Sequence, residues 1–129
     1  MGGACAFFNP EPLADFFDIC FIGDAEEMLP EFLDIYRSAR SKKLILEQAL
    51  AVGGLYVPKY YTVSYDEEGR ITGRRVLPPA PEMVTRRCFN DLSQSTIRTS
   101  IVTSETEFSD MYLVEAMRGC PWDCRRASC

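Results

Sequence analysis

Histidine is absent from the 129 residues. That excludes a His-based catalytic triad, a Cys–His zinc site and a His-ligated cobalamin within them. No apolar run approaches the roughly 18–20 residues that span a bilayer. The opening Met1-Gly2-Gly3-Ala4-Cys5 has neither the basic region nor the apolar core of a secretory signal, so the expected compartment is the cytoplasm. No basic block occurs and the formal net charge is −5, which argues against nucleic acid or an anionic membrane as a partner. Internal repeats and low-complexity tracts are also missing.

What is present suits one ordinary domain with a core. Hydrophobic residues make up 47% and charged residues 26%, the balance of a folded globular chain. Six cysteines stand at positions 5, 20, 88, 120, 124 and 129. With no sign of secretion, thiols or metal ligands are expected rather than disulfides. Cys5, Cys20 and Cys88 lie far apart in apolar settings and read as buried small hydrophobes.

The chain divides into three parts: residues 1–54, 55–110 and 111–129. In the first, Gly2-Gly3 reads as a tight turn. Asn9-Pro10-Glu11-Pro12 can start a short helix with Leu13, Phe16 and Phe17 on one face. Phe17 to Ile22 is a short apolar run ending at Gly23-Asp24, the pattern of a buried parallel strand feeding a helix. Asp24 and Glu27 then fit a helix start, where carboxylates meet the positive end of the helix dipole. Met28, Leu29, Phe32, Leu33, Ile35 and Tyr36 recur at helical spacing. Pro30 marks the first turn or kinks that helix. Leu44, Ile45, Ala49, Leu50 and Val52 give a second helix, ended by Gly53-Gly54.

The period changes in the second part. Tyr61, Val63 and Tyr65 alternate with Thr62 and Ser64, Asp66-Glu67-Glu68-Gly69 turns, and Ile71 to Val76 returns, which predicts a β-hairpin. The tyrosines from Gly54 to Tyr65 read as sheet packing or the lining of a ligand groove. Leu77-Pro78-Pro79-Ala80-Pro81 reads as an extended connector, followed by polar, irregular sequence to Asp110. Met111 to Ala116 then predicts a buried strand running into the cysteine loop. The expected fold class is α+β: strand and helices left over from a doubly wound domain, a hairpin, and a terminal strand.

Cys120, Cys124 and Cys129 close the sequence as Cys120-Pro121-Trp122-Asp123-Cys124-Arg125-Arg126-Ala127-Ser128-Cys129. Three thiolates on one loop can hold three irons of a [4Fe–4S] cluster and leave the fourth iron open to a small molecule. They can also bind zinc with a fourth thiol, or none of them need bind metal, as in a small standalone cytoplasmic binding or scaffold protein.

The run Ala116-Met117-Arg118-Gly119-Cys120-Pro121-Trp122-Asp123-Cys124 resembles the start of the cluster loop of radical S-adenosylmethionine (SAM) enzymes, whose ligands are spaced Cys-x3-Cys-x2-Cys after the first strand of a β/α barrel. Upstream, Gly2-Gly3, Asn9-Pro10-Glu11-Pro12, Phe21-Ile22-Gly23-Asp24-Ala25-Glu26-Glu27 and Thr106-Glu107-Phe108 resemble the stretch that joins a B12-binding (cobalamin-binding)-like domain to the radical SAM core. The resemblance implies an interior fragment: residues 1–54 from the end of the B12-like domain, 55–110 a linker, 111–129 the start of the core. It implies a [4Fe–4S] cluster and SAM in the intact protein and reductive cleavage of SAM to a 5′-deoxyadenosyl radical; cobalamin is open to such a protein but unsupported by these residues, which lack the usual His ligand. It implies the rest of the barrel and a reductant protein as partners, with self-association through apolar edges that the missing parts would cover. Cys120 and Cys124 take the ligand positions, Trp122 shields the cluster or packs, and the Gly23–Glu27 loop lies near the cofactor. Position 127, where the third ligand falls in the family, is Ala127, and position 126, where an aromatic falls, is Arg126. Cys129 is the later thiol left as the third ligand.

Overall fold

The computed structural model describes residues 1–95, 97–107 and 109–118, and of Cys5 only the backbone. They form two compact units, split after Phe89.

In the first unit, Gly3 at φ +87° leads into a short helix α1 (Ala4–Phe8). Its five residues carry too little periodicity to be legible in the sequence. A 3-10 helix follows at Glu11–Phe16, with proline in its first turn as expected. The apolar run 17–22 does contain a strand, β1 (Cys20–Phe21), but its partner β2 (Leu55–Tyr56) is antiparallel. The parallel pairing read from the run's apolar character is corrected here. Ile19 and Leu55 belong to one buried cluster, with Met28, Leu46, Ala49, Leu50, Val52 and Val57. Cys20, Ile22 and Tyr56 belong to a second, with Ala6. Alternate side chains of one small ladder thus serve both cores, so both faces are buried although the pair is antiparallel. Met1 lies alongside: its amino group donates to the Ile19 carbonyl at 2.7 Å and its carbonyl accepts from Phe21 N at 2.7 Å.

Helix α2 (Ala25–Ser38) follows Asp24. Pro30 lies inside it rather than in its first turn. Met28 is fully buried, and Phe32 and Ile35, four and seven residues on, pack against the same cluster. Phe32 meets Phe21 edge-on at 5.4 Å between centroids. Helix α3 (Lys42–Ala49) is capped by Ser41, whose hydroxyl accepts from Leu44 N at 3.3 Å, and buries Leu46 and Ala49. It stops at Ala49, and residues 50–54 turn the chain into β2.

The hairpin forms as predicted, with β3 (Tyr61–Tyr65) antiparallel to β4 (Ile71–Val76) and an irregularity at Ser64/Tyr65. Asp66 organises its loop: Oδ1 accepts from Glu68 N at 3.0 Å and Arg70 N at 2.8 Å, and Gly69 adopts φ +79°. The proline segment is a turn, not an extended connector: Ala80 N donates to the Leu77 carbonyl at 3.0 Å across a cis Pro78–Pro79 bond.

The second unit, described on its own, has a 3-10 turn at Leu92–Gln94, capped by Asp91. The strand predicted at 111–116 is reduced to a single antiparallel bridge, Arg98 to Val114, and Met111, Tyr112, Leu113 and Val114 are exposed. Apolar composition marked that run; among the described residues of the unit nothing supplies the second face that would bury it. The α+β class stands, with short helices and small antiparallel sheets.

Candidate functional site

The Gly23-Asp24-Ala25-Glu26-Glu27 stretch seats a distant piece of chain, residues 86–89. Arg87 N donates to the Ile22 carbonyl at 3.0 Å, and Asp24 N donates to the Arg87 carbonyl at 2.8 Å, a parallel bridge through Gly23. On the other side Ile22 N donates to the Gly54 carbonyl at 2.7 Å. Gly23 (φ +124°) and Gly54 (φ +89°) both need glycine's freedom here. A Cβ on Gly54 would come 2.7 Å from Met28 Sδ and 3.0 Å from Arg87 Cβ.

The acids of the helix start hold that strap. Asp24 Oδ2 accepts from Phe89 N at 2.9 Å, and Asp24 Oδ1 lies 3.8 Å from Arg86. The Asp24 side chain makes no cap to its own helix. Arg87 forks across Glu27 and Glu31, with Nη2 2.8 Å from Glu27 Oε2 and 2.7 Å from Glu31 Oε1, and Nη1 2.8 Å from Glu31 Oε2. The bonds from Arg87 hold the Glu31 carboxyl below the usual carboxylate range, and bonds to Glu31 and Glu27 hold the guanidinium more firmly protonated. Arg86 also lies 4.8 Å over the Phe7 ring, a cation–π contact. The sequence marks an acidic helix start without marking its basic partner. The available signal was complementary charge, Arg86-Arg87 against Glu26-Glu27 and Glu31, but no local spacing rule links groups 60 residues apart.

A second feature is a groove of about 710 Å³ between the 3-10 helix Glu11–Phe16 and the chain from Tyr56 to Tyr65. Glu11, Asp15, Asp18, Lys59, Phe16, Phe17 and the tyrosines 56, 61 and 65 line it. The Tyr56 hydroxyl donates to Glu11 Oε1. Burial, then the Glu11 bond, push the Tyr56 phenol well above its ordinary range, and burial raises Tyr61 too. Both tyrosines stay protonated and act as hydrogen-bond donors at neutral pH. The two rings sit 4.7 Å apart and tilted by 42°. The tyrosines therefore do both things the sequence allowed: Tyr56 is core, and Tyr61 and Tyr65 are groove wall.

Cys20 is buried and free, its thiol raised mainly by burial; Cys88 is a half-buried free thiol beside Arg87 and less covered than expected. Cys120, Cys124 and Cys129 lie outside the described residues. Among the described residues no group of three or more His, Cys, Asp or Glu side chains is placed to hold a metal ion. No helix among them is long and apolar enough to cross a membrane.

Residues 1–58 match the family described as radical SAM proteins, N-terminal. The match covers 58 of the 129 residues and supports the radical SAM family. It covers the strand β1, the Gly23–Glu27 loop, α2, α3 and the glycine turn that receives the strap. No curated protein and no solved structure matches the chain.

Proposed function

We propose that this chain is part of a radical SAM iron–sulfur enzyme, reaching from a B12-binding-like domain through a linker into the radical SAM core. The match over residues 1–58 carries the reading, and the Cys120-x3-Cys124 spacing downstream supports it. The donor set suits the cluster chemically: thiolates close together in the sequence are iron–sulfur ligands. Cys120 and Cys124 would be ligands, with Cys129 as the third. When bound, the cluster supplies the electron for reductive cleavage of SAM. The contribution of this chain is to hold the thiolates, and to lock the linker to the N-terminal part through Arg87 and the Gly23–Glu27 loop. By itself the chain is expected not to turn over, because a barrel cannot close from one strand.

Anaerobic addition of ferrous iron and sulfide tests the reading. The expected outcome is a brown protein with iron and sulfide bound, and loss of colour in both Cys120→Ala and Cys124→Ala. A colourless, folded chain that instead takes up one zinc per molecule would sink it.

A further inference from the structure

The groove between Glu11 and Tyr65 has the volume of a small-molecule site, which commonly falls between about 300 and 1,000 Å³. Its chemistry is one-sided. Three carboxylates, Glu11, Asp15 and Asp18, face it from one short stretch of chain. Lys59 stands in the opposite wall, and Lys42 engages Asp18 at 2.7 Å. The carboxylates outnumber these ammonium groups. Glu11 is half-buried, and among the described residues no Lys or Arg pairs with it; its side-chain partner is the Tyr56 hydroxyl. A carboxylate that accepts from one neutral donor has acceptor capacity left over for a ligand's N–H groups.

Around that carboxylate are aromatic groups. Tyr56, Tyr61 and Tyr65 come from the strand side and Phe16 and Phe17 from the acid side. Phe16 is 79% exposed, so its ring is available to a ligand. Aromatic faces attract a cation, and carboxylates accept its N–H bonds. An anion would meet more carboxylates than ammonium groups. A neutral ligand would bring no charge-assisted bond to the Glu11 oxygens.

We propose that this groove binds a small primary alkylammonium compound, with its –NH3+ on Glu11 and Asp15 and its alkyl chain along Phe16 and Tyr61. The proposal does not depend on the radical SAM reading.

Titration of the full chain with n-pentylammonium, followed by amide chemical shifts and tyrosine fluorescence, tests it. 1-Pentanol is the neutral isostere and pentanoate the anion. Saturable binding is expected, with shifts centred on residues 11–18 and 56–65. Affinity should exceed that for pentanol by about tenfold, the effect of a charge-assisted bond, and Glu11→Gln should remove that margin. Phe16→Ala, at an exposed position, should weaken binding with the fold intact, and decides the matter if Glu11→Gln unfolds. Equal affinity for pentanol, shifts scattered elsewhere, no saturation, or a Phe16→Ala chain that binds unchanged would each overturn the proposal.

Discussion

A Cβ placed on Gly23 would lie 2.0 Å from the Arg87 carbonyl oxygen and 2.7 Å from its nitrogen. Real atoms do not approach so closely, and both neighbours are backbone, so the strap itself would have to leave. The φ of +124° adds a second penalty. Gly69, at φ +79° with nothing within 4 Å of its Cβ position, isolates the conformational part. Gly69→Ala should therefore cost about 1 kcal/mol, the usual cost of a left-handed L-residue. Gly23→Ala should cost about 2 kcal/mol more, since displacing the strap removes two backbone hydrogen bonds and the Arg87 fork. Urea midpoints of the two variants settle it; equal losses would mean that close approach is not what Gly23 provides. The sequence announced both glycines as punctuation. Only the structure separates the one in open solvent from the one under another chain segment. Asp66 offers a similar check nearby. It accepts two backbone N–H groups in the hairpin loop, so Asp66→Ala should lose about 1 kcal/mol, read from the same melts.

Arg87 is held by geometry as well as charge at the level of the element, because two carboxylates one helical turn apart on α2 meet a planar fork. Lysine cannot reproduce that, so Arg87→Lys should recover little of what Arg87→Met loses. The loss should be about 1 kcal/mol, since both carboxylates are about half exposed and pairs open to solvent stay near that size. Its pH dependence has a definite sign. The Glu31 carboxyl is depressed in the folded chain, so its contribution is present above the ordinary carboxylate range. That contribution fades as pH falls through the lowered folded value. Stability of the parent chain should therefore drop on acidification below about pH 4.5, and Arg87→Met should show a shallower drop. Parallel acid limbs in the two chains would remove Glu31 from the account. Elements such as α2, α3 and the hairpin were legible because each declares itself within about ten residues, by period or by turn chemistry. The strap was not, for it has neither. The pairing direction of β1 was hidden for a related reason: an apolar run reports that both faces are buried, not which strand lies beside it.

At the scale of the molecule, the match to radical SAM N-terminal regions ends at residue 58, while the first compact unit runs to Phe89. The two limits make different demands on the chain. Ending at Pro58 keeps both halves of β1–β2 and both long helices, yet it removes residues 86–89. The Ile22 carbonyl, Asp24 N and the Asp24, Glu27 and Glu31 carboxylates would lose partners together, and Ala80 would no longer pack on the main core. Groups that had been paired would return to water around a helix start that has no side-chain cap of its own. A chain of residues 1–89 is therefore expected to unfold cooperatively, with slow amide exchange at Met28 and Leu55, both almost fully buried. A chain of residues 1–58 should exchange within the dead time at Ile22 and Asp24 and melt without a sharp transition. Comparable protection in the two would show that the first 58 residues fold unaided, and that the Arg87 strap rests on a finished domain instead of completing one.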